Sequence, residues 1–310
     1  MNNVDEATLE RFAVENHIDG LTEGSLKALL EKQQGYSIDK AKRFVKFQDR
    51  INQELLTHPV IVNNEYCKWF QQGEQSPDQV KSFIVQFSVF SNLFLIAQLN
   101  KMINADSLES MRASKEILAN EIGVIFHSGK TTGKTSDDFE KDGDPELVST
   151  EGTVENGRFR FRAAHFEWLL QMGEKIDLGF NDMGKRGHGA VNTLFFCDEL
   201  ERLYGGADYL TSQAASYAVE NWAAAGFWDQ LVDGFRLFNE RTGMKLPLAF
   251  FTWHSRIEAQ HAAHTQEELE ELYFAQEIDE DKFIEKGWEM LDGVQAFWYG
   301  LNEERLESAQ

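Results

Sequence analysis

The sequence predicts an all-α fold, one domain of about ten helices. Three observations carry this reading. Apolar residues recur at three- and four-residue intervals through most of the 310-residue chain. Only four prolines interrupt it, at positions 59, 77, 145 and 247, which leaves room for long helices. No strand-like stretch stands out except around residues 153–162, where a short hairpin arm is expected.

Residues 5–33 read as two short amphipathic helices parted near Asp19-Gly20, with Thr22-x-x-Ser25 opening the second. Residues 37–57 carry Phe44, Phe47, Ile51 and Leu55 at helical spacing and stop at His58-Pro59. A histidine before proline in a turn is a poor metal ligand. Ser76 is an N-cap and Pro77 a first helical residue. Phe83, Phe87, Phe90, Phe94 and Leu95 then surround much of a helix that runs to about residue 103. Such a helix belongs in the centre, and its aromatic stripe reads as core rather than as a cofactor box.

Residues 107–126 form a further helix with Ile117, Leu118, Glu121, Val124 and Ile125 on its apolar side. A carboxylate there costs several kcal/mol unless it is paired or on a metal. Glu121 is therefore a candidate ligand, with a salt-bridged core glutamate as the alternative. Residues 128–157 are rich in Gly, Ser, Thr, Asp and Lys and read as an insertion or lid. The GKTTGKT piece within them lacks the spacing of a phosphate loop, and no strand pattern precedes it. Helical periodicity resumes near residue 158 and runs to about 178, with Phe161, His165, Trp168 and Met172 at i, i+4, i+7 and i+11. His165 thus shares a buried stripe. Further helices are expected at 191–204, at 208–225 and at 227–242. Leu246-Pro247 leads into another, and two more at 267–276 and 279–301 close the chain. In 208–225, Glu220 lies with Tyr217, Ala223 and Ala224 and also faces inward.

The chemistry concentrates in residues 251–264, FTWHSRIEAQHAAH. His254, Glu258 and His261 stand at i, i+4 and i+7, within about 60° of one another at ~100° per helical residue. Imidazole plus carboxylate on one helix face suits a divalent transition metal, whereas magnesium and calcium prefer oxygen alone. The spacing is not the His-Glu-x-x-His of zinc proteases. His264 lies ~80° round from His254 and reads as a flank residue. Glu121, His165, Glu220, His254, Glu258 and His261 together give three carboxylates and three imidazoles from four helices. That is about what two first-row metals need while keeping open positions. The usual four-helix di-iron form takes a Glu-x-x-His from each of two helices, whereas this chain carries a single one, Glu258 to His261.

At these residues the chain resembles the haem-oxygenase-like di-iron oxidases and oxygenases, whose helical fold is shared with thiaminase-II-like and pyrroloquinoline-quinone-synthase-like proteins. The pattern is a Glu and a His, a later lone Glu, then His-x3-Asp/Glu-x2-His. ASKEILANEIG supplies Glu121, AAHFEWLLQMGEKIDLG supplies His165, SYAVENWAAAGFW supplies Glu220 and TWHSRIEAQH the rest. The resemblance spans about residues 77–302. It departs at the first pair, because 43 residues separate Glu121 from His165 where the family has about two turns. His127 lies six residues after Glu121 and competes for the same role. The segment after His165 looks like the family helix, so His165 is preferred. The resemblance implies two Fe2+ as cofactor and O2 as co-substrate. It implies hydrogen abstraction, C–C cleavage or N-oxygenation on a small organic substrate of the amino acid or fatty acid class. Iron against manganese, an electron donor and a homodimeric partner are left open.

Composition bounds the rest. A net charge of −22 repels nucleic acid and anionic membranes. No apolar run of membrane-spanning length is expected, because Gln86, Ser88, Ser91, Asn92 and Gln98 break the richest stretch. Two cysteines, Cys67 and Cys197, give no disulfide framework, and the polar N-terminus is unlike a signal peptide, so a cytoplasmic setting is expected. Two other readings remain. One is a metal-free, thiaminase-II-like hydrolase with Cys197 as nucleophile, although Asp198 and Glu199 beside it disfavour a thiolate. The other is a non-enzymatic helical partner-binding protein.

Overall fold

A computed structural model describes residues 5–127, 151–154, 157–161 and 164–307, without the side chains of residues 109, 125–127, 151–154, 157–161 and 257–264. Among the described residues the helices are α1 (Glu6–Asn16), α2 (Glu23–Leu30), α3 (Ile38–Arg50), α4 (Pro59–Val62), α5 (Glu65–Phe70), α6 (Pro77–Ile103), α7 (Leu108–Glu121), α8 (His165–Glu174), α9 (Val191–Glu199), α10 (Tyr209–Ala223), α11 (Phe227–Thr242), α12 (Ala249–Ala275) and α13 (Glu280–Glu307). The π-helical turns Ile51–Leu55 and Leu200–Tyr204 extend α3 and α9. The all-α expectation holds. The short α4 and α5 fill a stretch that periodicity alone leaves blank.

Several boundaries fall elsewhere than the sequence suggests. The helix expected over 107–126 ends at Glu121, because Gly123 adopts a left-handed φ of 73° and turns the chain. Val124, Ile125 and Phe126 then form β1 (Val124–His127) instead of a last helical turn. Their β-branched and aromatic side chains favour that state. Likewise Phe161 ends β3 (Gly157–Phe161), and the expected helix from 158 starts only at His165. With β2 (Glu151–Val154) these strands form a small antiparallel sheet in the order β1-β3-β2. The rest of the 128–157 insertion lies outside the described residues. The helices expected at the motif and at 267–276 are one continuous helix, α12.

The central helix is α6, as its aromatic residues suggest. Ser76 and Gln79 form a reciprocal capping box at its start, with Pro77 at the first position. Phe83 and Phe87 are fully buried and pack on Phe251 of α12, with Phe235 of α11 against the same ring. Each such ring contributes about 1.5–3 kcal/mol by leaving water. Gly234 lets α11 pass close to the Phe70 carbonyl of α5, where a Cβ would collide. By length and composition α6 is the one described helix long and apolar enough to cross a membrane, contrary to the expectation from its polar interruptions, and about half of that window is buried inside the protein. The polar residues that interrupt it turn inward and fasten neighbours. Gln86 donates to the His188 carbonyl at 3.0 Å and accepts from the Ala190 amide at 2.8 Å. Gln98 donates to the Ser114 carbonyl of α7 at 2.9 Å and accepts from the Tyr204 hydroxyl at 2.6 Å.

His58 is wholly buried, not a turn residue in solvent. Its Nδ1 accepts from the Val60 amide at 3.2 Å, which leaves Nε2 to donate to Asp292 at 3.1 Å. It thus ties the chain before α4 to α13.

Candidate metal centre

Glu121, the last residue of α7, and His165, the first of α8, are far apart in sequence but adjacent in space. The sheet explains this. Val124 pairs with Phe161, so a residue three beyond Glu121 is registered against one four before His165. The intervening chain therefore leaves and returns at one place. His165 Nδ1 lies 2.7 Å from Glu121 Oε2. Both side chains are largely buried, at 5% and 14% exposure. Yet His165 Nδ1 makes no hydrogen bond: the two atoms approach without the alignment one requires. A buried nitrogen left in that state is costly. A cation shared by the lone pairs of both atoms would account for their closeness, as would a protonated His165 paired with the carboxylate.

The third member is His254, in the second turn of α12 and buried. Its Nδ1 lies 2.7 Å from the Phe250 carbonyl oxygen, one turn earlier. A carbonyl only accepts, so Nδ1 carries the proton and Nε2 the lone pair. This is the arrangement that orients a ligating imidazole. The His254 ring stacks on Trp228 of α11 at 4.4 Å and 16°. It meets the His165 ring at 4.8 Å, while Trp253 packs against both. Ligand atoms of Glu121, His165 and His254 all lie within 4.8 Å of one another. One carboxylate and two imidazoles fit a first-row transition metal.

Glu220, on α10, lines two cavities that it shares with Glu121 and Trp253. The larger, about 270 Å³, is lined mostly by polar and charged residues, Lys101, Glu268 and Ser216 among them. The smaller, about 80 Å³, is walled by aromatic side chains and by His254. Lys101 donates to the Ser216 hydroxyl and lies 4.4 Å from the Tyr204 ring centroid. Burial pulls the Lys101 pKa down, opposed by the charges of Glu268 and Glu220. The sequence reading missed this lysine. Its signal was present, since a charged residue interrupts the last turn of an otherwise apolar central helix.

Glu258 and His261 lie on α12, one and two turns beyond His254, and their side chains are outside the described residues. His127 sits in β1, paired with Arg158; its side chain is likewise undescribed. Cys197 of α9 is buried, and burial together with Asp198 pushes its thiol up to about 12.

No family model and no curated protein matches the chain. The fold resembles a CADD-like protein. Two crystal structures of this protein, of unknown function and from Nostoc punctiforme PCC 73102, are similar to the present chain. One is 16% identical and covers 86% of this chain and 97% of its own, with a TM-score of 0.52. The other is 14% identical and covers 87% and 99%, with a TM-score of 0.50. At such identities the likeness concerns the fold alone.

Proposed function

We propose that this protein is an O2-dependent, non-haem di-iron oxidoreductase of the haem-oxygenase-like kind, acting on a small organic substrate. The observation that carries the reading is the convergence of Glu121, His165 and His254. His165 Nδ1 stands against a carboxylate without a hydrogen bond, and His254 is fixed in the tautomer that offers Nε2. These three would hold one iron. Glu220, Glu258 and His261 would complete the site for a second. The bound ferrous ions would supply the electrons for O2 activation.

The remaining work belongs to the chain. The Phe250 carbonyl holds the proton on His254 Nδ1, and Trp228 fixes the plane of that ring. Trp168, Trp253 and Phe250 pack round His165 and keep bulk water from it. Lys101 offsets the carboxylate charge gathered in the larger cavity. The polar lining of that 270 Å³ cavity favours an amino-acid-sized substrate over a fatty acyl chain. A separate electron donor, a homodimer and a cytoplasmic setting remain part of this proposal, and the −22 charge argues against nucleic acid as partner.

The test is anaerobic titration with ferrous iron, followed by exposure to O2 and optical monitoring. About two irons per chain and an O2-dependent absorbance change are expected. A firm plateau at zero iron would leave the partner-binding reading in its place. The cysteine hydrolase reading is disfavoured by the buried Cys197 thiol, which lines neither cavity.

A further inference from the structure

The two cavities meet at Glu121 and Glu220 but differ in chemistry. The smaller is lined by Phe87, Phe90, Phe94, Trp222, Trp228 and Phe250 beside His254. Apart from the carboxylates and imidazole of the candidate centre and the tryptophan indoles, the polar side chain there is Ser91. Its volume, about 80 Å³, is little more than half that of an apolar cavity known to stay dry and take up benzene or xenon, about 150 Å³. It is too small for an acyl chain or an amino acid, and away from the candidate centre its wall is mostly apolar.

We infer that the aromatic cavity between α6, α10, α11 and α12 binds a small apolar gas molecule, dioxygen in function, beside the polar cavity with which it shares Glu121 and Glu220. Assigning dioxygen rests on the proposed di-iron function; the gas pocket itself does not. On this arrangement the organic substrate approaches through the Lys101 side, and the two reactants reach the carboxylates from different cavities. Separation of this kind removes competition between them for one channel.

Xenon tests the pocket in the whole, metal-free chain. Under xenon pressure, 129Xe NMR of the wild-type protein should give a saturable shift. Ala223 and Ser91 both line the cavity. Ala223→Leu and Ser91→Leu fill it from two different helices, and each folded variant, judged by circular dichroism, should weaken xenon binding by about tenfold or more. Absence of saturable binding to wild type would overturn the inference, as would unchanged binding in the folded variants. Iron titration of the same wild-type sample separates the two claims. Iron uptake without xenon binding defeats the pocket alone. Xenon binding without iron uptake keeps a gas pocket and defeats the dioxygen assignment together with the proposed function.

Discussion

His254 Nδ1 and the Phe250 carbonyl oxygen lie 2.7 Å apart on successive turns of α12. A backbone acceptor thereby fixes which nitrogen of His254 is protonated, and the lone pair falls to Nε2. The same helix that supplies the ligand also prepares it. His165 has no such acceptor at Nδ1, and there the carboxylate of Glu121 stands instead.

The ligand assignment predicts a pattern of metal loss. His165→Ala and His254→Ala should each remove at least one iron from the anaerobic titration, while His127→Ala should bind as wild type does. Glu258→Ala and His261→Ala should also lower the stoichiometry, because both residues succeed His254 on one helix face. The opposite result, with His127→Ala metal-free and His165→Ala holding two irons, would show that the first ligand pair ends at β1.

Lys101 should matter more to the empty protein than to the loaded one. Lys101→Met removes the cation that faces Glu268 and Glu220. The expected cost is roughly 1–3 kcal/mol in urea unfolding of the metal-free chain, from carboxylates left without compensation. Iron bound at Glu220, as proposed, would restore positive charge there, so the loss should shrink on loading. An equal loss with and without iron would mean that Lys101 acts only through its packing.

Stability should fall as pH drops below the ordinary histidine range, in part through His58. Burial lowers the His58 pKa despite the opposing pull of Asp292. Below about 6.5 the unfolded chain takes up a proton that the folded one refuses, so the contribution is full above that pH and declines until the folded value is passed. The slope from this one group reaches at most about 1.4 kcal/mol per pH unit. In His58→Gln, whose amide can accept from Val60 and donate to Asp292, the unfolding free energy of the metal-free chain should vary less steeply over that window. Parallel slopes for wild type and variant would count against this account.

The cysteines should be silent in the native state. Cys67 and Cys197 are both buried, with thiols raised by burial. A disulfide-exchange reagent at neutral pH should react with both only on unfolding. Cys197→Ala should bind iron as wild type does, and its O2-dependent absorbance change should match. Loss of both in a folded variant would bring the cysteine back into the chemistry.

The sequence by itself determined the helical class, the N-caps at Thr22 and Ser76, and the buried role of α6. These come from local rules: apolar spacing, capping chemistry and proline geometry act within a few residues. It also placed Glu121, His165 and Glu220 on inward-facing positions, although Val124, Ile125 and Phe161 of the stripes drawn for the first two lie in strands. It misjudged the turn after Glu121. Gly123 and the β-branched residues beyond it compete with helical periodicity, and the strand they form is stabilised by a partner 37 residues on, Val124 against Phe161. That pairing is nonlocal, and together with the packing of α7 and α8 on α6 it brings Glu121 to His165. The tautomer of His254, the stacking of Trp228 on it, and the division of the space around Glu220 into a polar and an aromatic cavity were likewise decided by tertiary contact. Spacing along a helix states which side a residue faces; only the packing of other helices states what it meets there.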